Sequence, residues 1–315
     1  LADAEVEYKN HTSNTIYTSF EIRKTDKEFL KKGHVIIWTT TPWTIPVNRA
    51  LAYNSKIKYA VVQIVNDTGH FKNKKIIIAR DLVNKVSGEC SFKDFKILKE
   101  FDGKELKNTI CSHPLKKLGY NYEVPMLEGD FVTLEQGTGI VHSAPSHGPD
   151  DFNLCLKHGI KASNTMDDSG IYSNEIPYFS GTHIFKADSQ VIEKLSEHKS
   201  LLSNSKLEHS FPHSWRSKAP LVYRATSQWF ISMEKKDLRK KALKAIDDTT
   251  FYPEKGRDRI RSMIETRPDW CVSRQRIWGV PLPIFVSKKT KKPLKDPDVI
   301  ENIAKIFEKE GADCW

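Results

Sequence analysis

The stretch Gly137-Thr-Gly-Ile-Val-His-Ser-Ala-Pro-Ser-His-Gly-Pro-Asp-Asp-Phe152 reads as a tight turn, a short strand, a polar loop and a helix start. Gly137 and Gly139 allow backbone shapes and close approaches that a side chain would block. Ile140 and Val141 suit a buried strand. Pro149 fits the first helical position, and Asp150 and Asp151 fall in the first turn, where the helix dipole favours negative charge. Phe152, Cys155 and Leu156 are then expected to face a core, with Gly159 as the C-terminal cap. On this reading Asp151 is an ionised, rigidly aimed carboxylate, and His142 and His147 sit just before it. Such a place suits a cation, for instance an amino group.

Outward from this stretch, the first 145 residues are β-dominated. Thr15 to Ile22, Val35-Ile-Ile-Trp38, Tyr59 to Val65, Lys75 to Ala79, Phe95 to Phe101 and Phe131 to Leu134 read as strands. A turn at Asn66-Asp-Thr-Gly69 would join the third and fourth of these. Thr39-Thr-Thr-Pro-Trp-Thr-Ile-Pro-Val-Asn48 carries two prolines four apart, so it reads as a stiff, irregular segment rather than a strand or helix interior. Its threonines gather methyl and hydroxyl surfaces in one place, and Trp43 reads first as packing. Arg80 to Val86 reads as a short helix stopped by Gly88, and Asp188 as the cap of a helix carrying Val191, Ile192 and Leu195. Lys161 to Phe179 is loop-like, with a turn at Asp167-Asp-Ser-Gly170.

Composition changes after about Ser210. Phe211 to Pro220 reads as a linker, and two basic helices follow, at Glu234 to Ile246 and Glu254 to Glu265. A last helix is capped by Asp296, opened by Pro297 and stopped by Gly311. A domain boundary is expected near residue 225, dividing 1–225 from 226–315.

The net charge of +10 points to a polyanion such as nucleic acid, although lysine-rich surfaces also serve solubility. The five cysteines are scattered without a Cys-x-x-Cys pair, which fits a reducing cytoplasm and neither a disulfide framework nor a cysteine-built zinc site. No apolar run approaches the ~18 residues of a membrane span. The acidic, alternating first residues are unlike a signal peptide, and the missing initiating Met suggests a piece of something longer. His142, His147, Asp150, Asp151 and His158 are dense enough to raise a metal site, but they lack a spacing such as His-Glu-x-x-His, and a charge-binding substrate site is favoured. Arg274, Arg276, Trp270 and Trp278 could grip nucleic acid or form an interior arginine network; the second reading is favoured.

Three motifs, Trp38 to Asn48, Gly137 to Phe152 and Asp269-Trp-Cys-Val-Ser-Arg-Gln-Arg-Ile-Trp-Gly-Val-Pro281, together resemble isoleucyl-tRNA synthetases of the bacterial and organellar type in content, order and spacing. Val-His-x-Ala-Pro with Gly-x-Asp-Asp favours the isoleucyl branch over the valyl and leucyl ones. No His-x-Gly-His and no Lys-Met-Ser-Lys-Ser sequence occurs. The resemblance therefore implies an inserted, β-barrel-like editing domain with peripheral helices, an α/β (α+β) fold. A mixed helical and strand segment of the synthetic domain follows it.

The implied activity is post-transfer editing, hydrolysis of the ester of mischarged valyl-tRNA(Ile). A synthetic pocket rejects one missing methylene by only ~1–3 kcal/mol, a general figure for which this enzyme family is itself a known illustration. The resemblance gives catalysis to Asp151, Thr40 and Thr41, with Asp151 holding the α-ammonium. It gives substrate binding to His142, Thr44, Asn48, Thr39 and Trp43, with His142 limiting side-chain size. No strong general base is evident, so hydrolysis is expected to rest on positioning and polarisation of water.

No cofactor is expected for this chain, whereas ATP with Mg would serve the parent enzyme. The expected partners are the tRNA(Ile) acceptor end with its valine or isoleucine moiety, and the chain is expected to be a cytoplasmic monomer. Some relatives bind zinc through Cys-Trp-Arg-Cys; here Ser214-Trp-Arg-Ser217 stands at those positions, and no zinc is expected. The alternatives are a non-catalytic tRNA-binding module and an editing domain of the valyl enzyme.

Overall fold

The computed structural model describes residues 5–67, 69–274, 279–290 and 292–315. The chain divides into two compact units, Leu1–Thr226 and Ser227–Trp315.

The first unit is built on a strand that pairs on several sides. β1 (Val6–Lys24) runs for 19 residues. β2 (Gly33–Thr39), β3 (Ala50–Tyr53), β4 (Lys58–Asn66) and β5 (Lys75–Ala79) follow, then helix α1 (Val83–Glu89) and β6 (Asp94–Asp102). Next come β7 (Ile110–Ser112), β8 (Glu123–Glu128), β9 (Ile140–Ser143), helices α2 (Pro149–Lys157) and α3 (Ile184–Glu197), and β10 (Leu201–Ser214). The ten strands form one mixed sheet in the order β6-β4-β5-β2-β1-β7-β8-β3-β9, with β10 added on β1. β2 runs parallel to β5 and β3 parallel to β8.

Strands covered on both faces read as continuous apolar runs. Val35 to Ile37 and Ile76 to Ala79 are such runs, and all of these residues are buried. The sheet curls until β9 comes back beside β2. At this seam Thr138 Oγ1 donates to the Ile36 carbonyl at 2.6 Å, and the Ala79 N–H donates to the Thr138 carbonyl at 2.8 Å. Gly139 has φ +72°, and a Cβ there would lie 2.4 Å from Ala79 Cβ, so the turn beneath β9 admits only glycine.

Several expectations are corrected. Phe131 to Leu134 is a turn region, and β7 and β8 supply strands in its place. α1 runs through Gly88 to Glu89. Residues 211–214 close the long strand β10, which pairs with β1 from Val6↔Ser214 to Thr18↔Leu201. Residues 219–221 fold back beside this end of β10, where the Leu221 N–H donates to the Pro212 carbonyl at 2.9 Å and the Ser214 N–H to the Ala219 carbonyl at 2.9 Å, so Pro212, which lacks a donor, serves there as an acceptor. The cap of α3 is His183, whose ring accepts from the Phe185 N–H, whereas Asp188 lies inside the helix. α2 buries Leu154 and Cys155 against Ala50, Ala52, Leu127 and Val132, leaving Phe152 and Leu156 exposed. Its buried face is the one that also turns Asp151 inward. Gly159 takes φ +75° just past the helix, as expected.

The second unit pairs β11 (Phe230–Ile231) with β12 (Trp270–Cys271) and holds α4 (Leu238–Asp247), α5 (Lys255–Glu265) and α6 (Pro297–Glu310). The Arg239 guanidinium on α4 donates to the Ile264, Glu265 and Arg267 carbonyls at the end of α5. Asp296 caps α6 by accepting from the Asp298 and Val299 N–H groups. Trp270 and Arg274 are exposed within this chain. Arg276 and Trp278 lie outside the described residues.

Candidate active site

β2 delivers Thr39, and Pro42 then opens a 3-10 turn, Pro42–Val47, with Pro46 inside it. The segment was expected to be irregular; two prolines are accommodated because partners outside the turn serve its backbone. In a 3-10 turn the residue 46 N–H would bond the Trp43 carbonyl, and proline has none. The Tyr172 hydroxyl donates to that carbonyl. The Trp43 N–H, an unpaired donor at the start of the turn, goes to Asp188 Oδ1 at 3.1 Å.

The threonine hydroxyls form a chain. Thr39 Oγ1 and Thr41 Oγ1 are 3.2 Å apart, and Thr41 Oγ1 and Thr44 Oγ1 3.3 Å. Thr44 Oγ1 donates to the Thr41 carbonyl at 2.8 Å and lies 2.9 Å from His142 Nε2. The single Thr44 proton is thereby used, so His142 donates through Nε2–H and its Nδ1 is the acceptor. Asn48 Nδ2 stands 3.5 Å from that Nδ1 and donates to the Ala50 carbonyl at 2.9 Å. Asn48 Oδ1 is buried and has no hydrogen-bond partner among the described residues. Burial, with the charge of His147 adding, lowers the His142 pKa to about 4, so the ring is neutral at physiological pH.

The second side of the site follows β9. Pairing of β3 with β9 sets Leu51 opposite His142 and Ala50 opposite Ser143, and the Arg49 N–H donates to the Ser143 carbonyl. One residue on, the Ala144 N–H donates to Asp151 Oδ2 at 3.1 Å. α2 begins with Gly148 as cap and Pro149 first, so Asp151 is in its first turn. A Cβ on residue 148 would meet Asp151 Oδ2 at 3.0 Å, which favours glycine there.

Asp151 is half-buried. Burial raises its pKa to about 6, with the Ala144 N–H opposing and Asp150 adding. The helix start was expected to hold this carboxylate firmly ionised; desolvation outweighs the dipole, and it titrates close to neutrality.

His147 is spoken for at both nitrogens. Its Nδ1–H donates to the Tyr223 carbonyl and its Nε2 accepts from Thr165 Oγ1, each at 2.8 Å. Its ring meets that of Trp43 edge-on with centroids 5.0 Å apart, and Trp43 is buried in the core. Asp150 and His158 are exposed. Among the described residues no cluster of three metal-capable groups occurs.

The structure thus joins Thr39, Thr41, Thr44, Asn48 and His142 in one hydrogen-bonded wall, and Thr40, between Thr39 and Thr41 in the sequence, is half-buried. Strand pairing links this wall to Asp151. Trp43 lies behind the wall as packing. Sequence reasoning missed four supporting residues: Asp188, Tyr172, Tyr122, whose hydroxyl donates to the Asn48 carbonyl at 2.7 Å, and His113, whose Nε2 lies 2.9 Å from the Ile45 carbonyl. Proline at position 46 was the available signal, since it leaves a buried carbonyl in need of another donor.

The family model for class I tRNA synthetases (I, L, M and V) matches residues 1–315. The chain belongs to that family. It is similar along its whole length to proteins named isoleucine–tRNA ligase. Identity is 66% over 315 residues in Pelagibacter ubique, where it covers 35% of the relative. It is 45% over 332 residues in Gluconobacter oxydans, covering 35% of that protein, and 42% over 325 residues in Hahella chejuensis, covering 34%. The chain therefore spans about a third of the length of these class I relatives. A looser overlap is found with the solved editing domain of Plasmodium falciparum cytosolic leucyl-tRNA synthetase, with a TM-score of 0.44 and 9% identity over 61% of this chain and 99% of that one. No helix among the described residues is long and apolar enough to cross a membrane.

Proposed function

We propose that this chain hydrolyses the ester of valyl-tRNA(Ile), the editing reaction of an isoleucine–tRNA ligase. The observation that carries the reading is a half-buried carboxylate, Asp151, tied by one strand pair to a rigid wall of threonine hydroxyls and a neutral histidine. In this reading Asp151 binds the α-ammonium of the mischarged amino acid. An arriving ammonium favours the ionised carboxylate and so lowers its pKa in the complex.

The wall supplies shape. Its hydroxyls are pinned to one another, so an added methylene meets a surface that cannot give, and overpacking costs ~1–3 kcal/mol. Thr40, Thr41, Thr44 and Asn48 orient the ester and the attacking water, and His142 bounds the side-chain space. His142 and His147 are neutral and engaged, which leaves positioning of water as the source of rate. The partner is the acceptor end of tRNA(Ile), met by a cytoplasmic monomer. In the longer ligase, ATP with Mg serves the synthetic reaction elsewhere.

A deacylation assay of the 315-residue chain with valyl-tRNA(Ile), isoleucyl-tRNA(Ile) and threonyl-tRNA(Val) tests this reading. Release of valine alone is expected. Preferred release of threonine would assign the site to the valyl branch, and binding without hydrolysis would make the chain a tRNA-binding module.

A further inference from the structure

The 3-10 turn that carries the threonine wall has an unusual start. Thr41 stands at its cap position, with φ −130° and ψ 68°, and makes no side-chain capping bond. A threonine there ordinarily accepts from an N–H two or three residues on. Here the Thr44 N–H bonds the Thr41 carbonyl at 2.9 Å, and the Trp43 N–H bonds Asp188, a residue 145 positions away on α3. Asp188 is steered by a second donor, Asn14 Nδ2 on β1, at 2.8 Å from its other oxygen. Thr41 Oγ1 is thereby left within the hydroxyl chain between Thr39 and Thr44.

We propose that Asp188 is a positioning residue of the editing site: it caps the turn in place of Thr41 and so keeps the Thr41 hydroxyl in the wall that meets the substrate. The inference rests on the editing reading given above. Without the carboxylate, the Trp43 N–H is an orphaned donor, and the Thr41 hydroxyl, at the cap position two residues before it, is of the type and place that ordinarily accepts such a bond. Rotation of Thr41 toward that N–H withdraws its hydroxyl from Thr39 and Thr44. The Tyr172 bond to the Trp43 carbonyl persists, so the turn keeps its place while its chemistry changes.

The test is a double-mutant cycle on deacylation of valyl-tRNA(Ile), with Asp188→Ala, Thr41→Ala and the pair. Displacement of one aligned group costs about 10–100-fold in rate, and Asp188→Ala is expected to lose that much, in kcat more than in KM. In the Thr41→Ala background the same substitution is expected to cost less than about twofold, because the hydroxyl it protects is gone. Asp188→Asn is expected to recover the rate, since Asn14 can flip its amide and both hydrogen bonds re-form. Should Asp188→Ala not fold, Asp188→Ser, too short to reach Trp43, carries the same cycle. Equal losses from Asp188→Ala with and without Thr41 would overturn the proposal and leave a plain stability role. An unaltered chain that releases no valine would sink the editing reading, and the proposal with it. Full activity of Asp188→Ala in an otherwise active chain would remove this proposal alone.

Discussion

The two sides of the candidate site are built on opposite principles. Around Thr39 to Asn48, most polar groups already have partners inside the protein, and buried histidine is neutral. Around Ser143 to Asp151, a carboxylate is desolvated and receives a single backbone N–H at Oδ2. Satisfied networks hold a shape. An under-compensated charge is a reservoir of binding energy for a cation. The first side is therefore suited to measuring size and the second to attracting charge, and the two can be broken separately.

Breaking the charged side has the largest expected effect. On the proposed reading, Asp151→Ala removes the partner of a desolvated ammonium, a loss of ~3–5 kcal/mol, or about 10²–10⁴-fold in kcat/KM for valyl-tRNA(Ile). Quench-flow or filter deacylation assays check it; a variant that keeps the parental rate would end the assignment of this residue. Breaking the shaped side by filling comes next. Thr41→Arg puts a long cation into the hydroxyl chain and is expected to cut hydrolysis about 10²-fold, with the circular dichroism spectrum unchanged. Normal turnover by a folded variant would place the ester elsewhere. Enlarging the shaped side gives a smaller change of another kind. His142→Ala removes a bounding ring and is expected to raise isoleucyl-tRNA(Ile) hydrolysis about tenfold, the worth of roughly one methylene of discrimination. Isoleucine release that stays at the parental level would show that the ring does not set the size limit.

The two sides also differed in how legible they were. The helix start at Pro149 is written locally: a glycine, a proline and two carboxylates in consecutive positions each favour the same geometry. The glycine turn before β9 is local as well, and Gly137 and Gly139 both take positive φ. Burial of Asp151 is set by packing of α2 on β3, and the helix phase turns it inward with Leu154 rather than outward with Phe152. Nothing in a nine-residue window of the sequence fixes that phase.

The threonine wall reads as irregular because its stabilising partners are remote. Tyr172 and Asp188 lie 129 and 145 positions from Trp43. β10 escaped notice for a related reason. Asn204, Ser205 and Lys206 are exposed on a ribbon held to β1 by backbone pairing, so no apolar alternation marks the strand. Phe131 to Leu134 has the composition of a strand yet turns, because the Gly129 N–H is already bound to the Tyr53 carbonyl and Val132 packs beneath α2.

The smallest expected effect is the one that separates charge from shape most cleanly, and it is on stability. Asp151 has a folded-state pKa of about 6 against an ordinary 3.8. Between those values the folded protein holds a proton that the unfolded chain has released. Stability therefore falls as pH rises from about 4 to 6 and stays lower above that. Asp151→Asn keeps an acceptor for the Ala144 N–H and removes the charge. It is expected to stabilise the fold at pH 7 by about 1–2 kcal/mol after allowance for solvent contact, and to change nothing below pH 4. Denaturant midpoints of the two proteins at both pH values measure this. On the proposed reading the same ionisation governs binding, so kcat/KM of the unaltered chain should decline as pH drops through about 6, while the Asp151→Asn variant should be slow and flat across that range. A variant that gains stability as it loses hydrolysis would mean that the fold tolerates this carboxylate for its ligand. A variant destabilised at pH 7 would mean that Asp151 belongs to the structure of α2, and the contrast between the two sides would collapse.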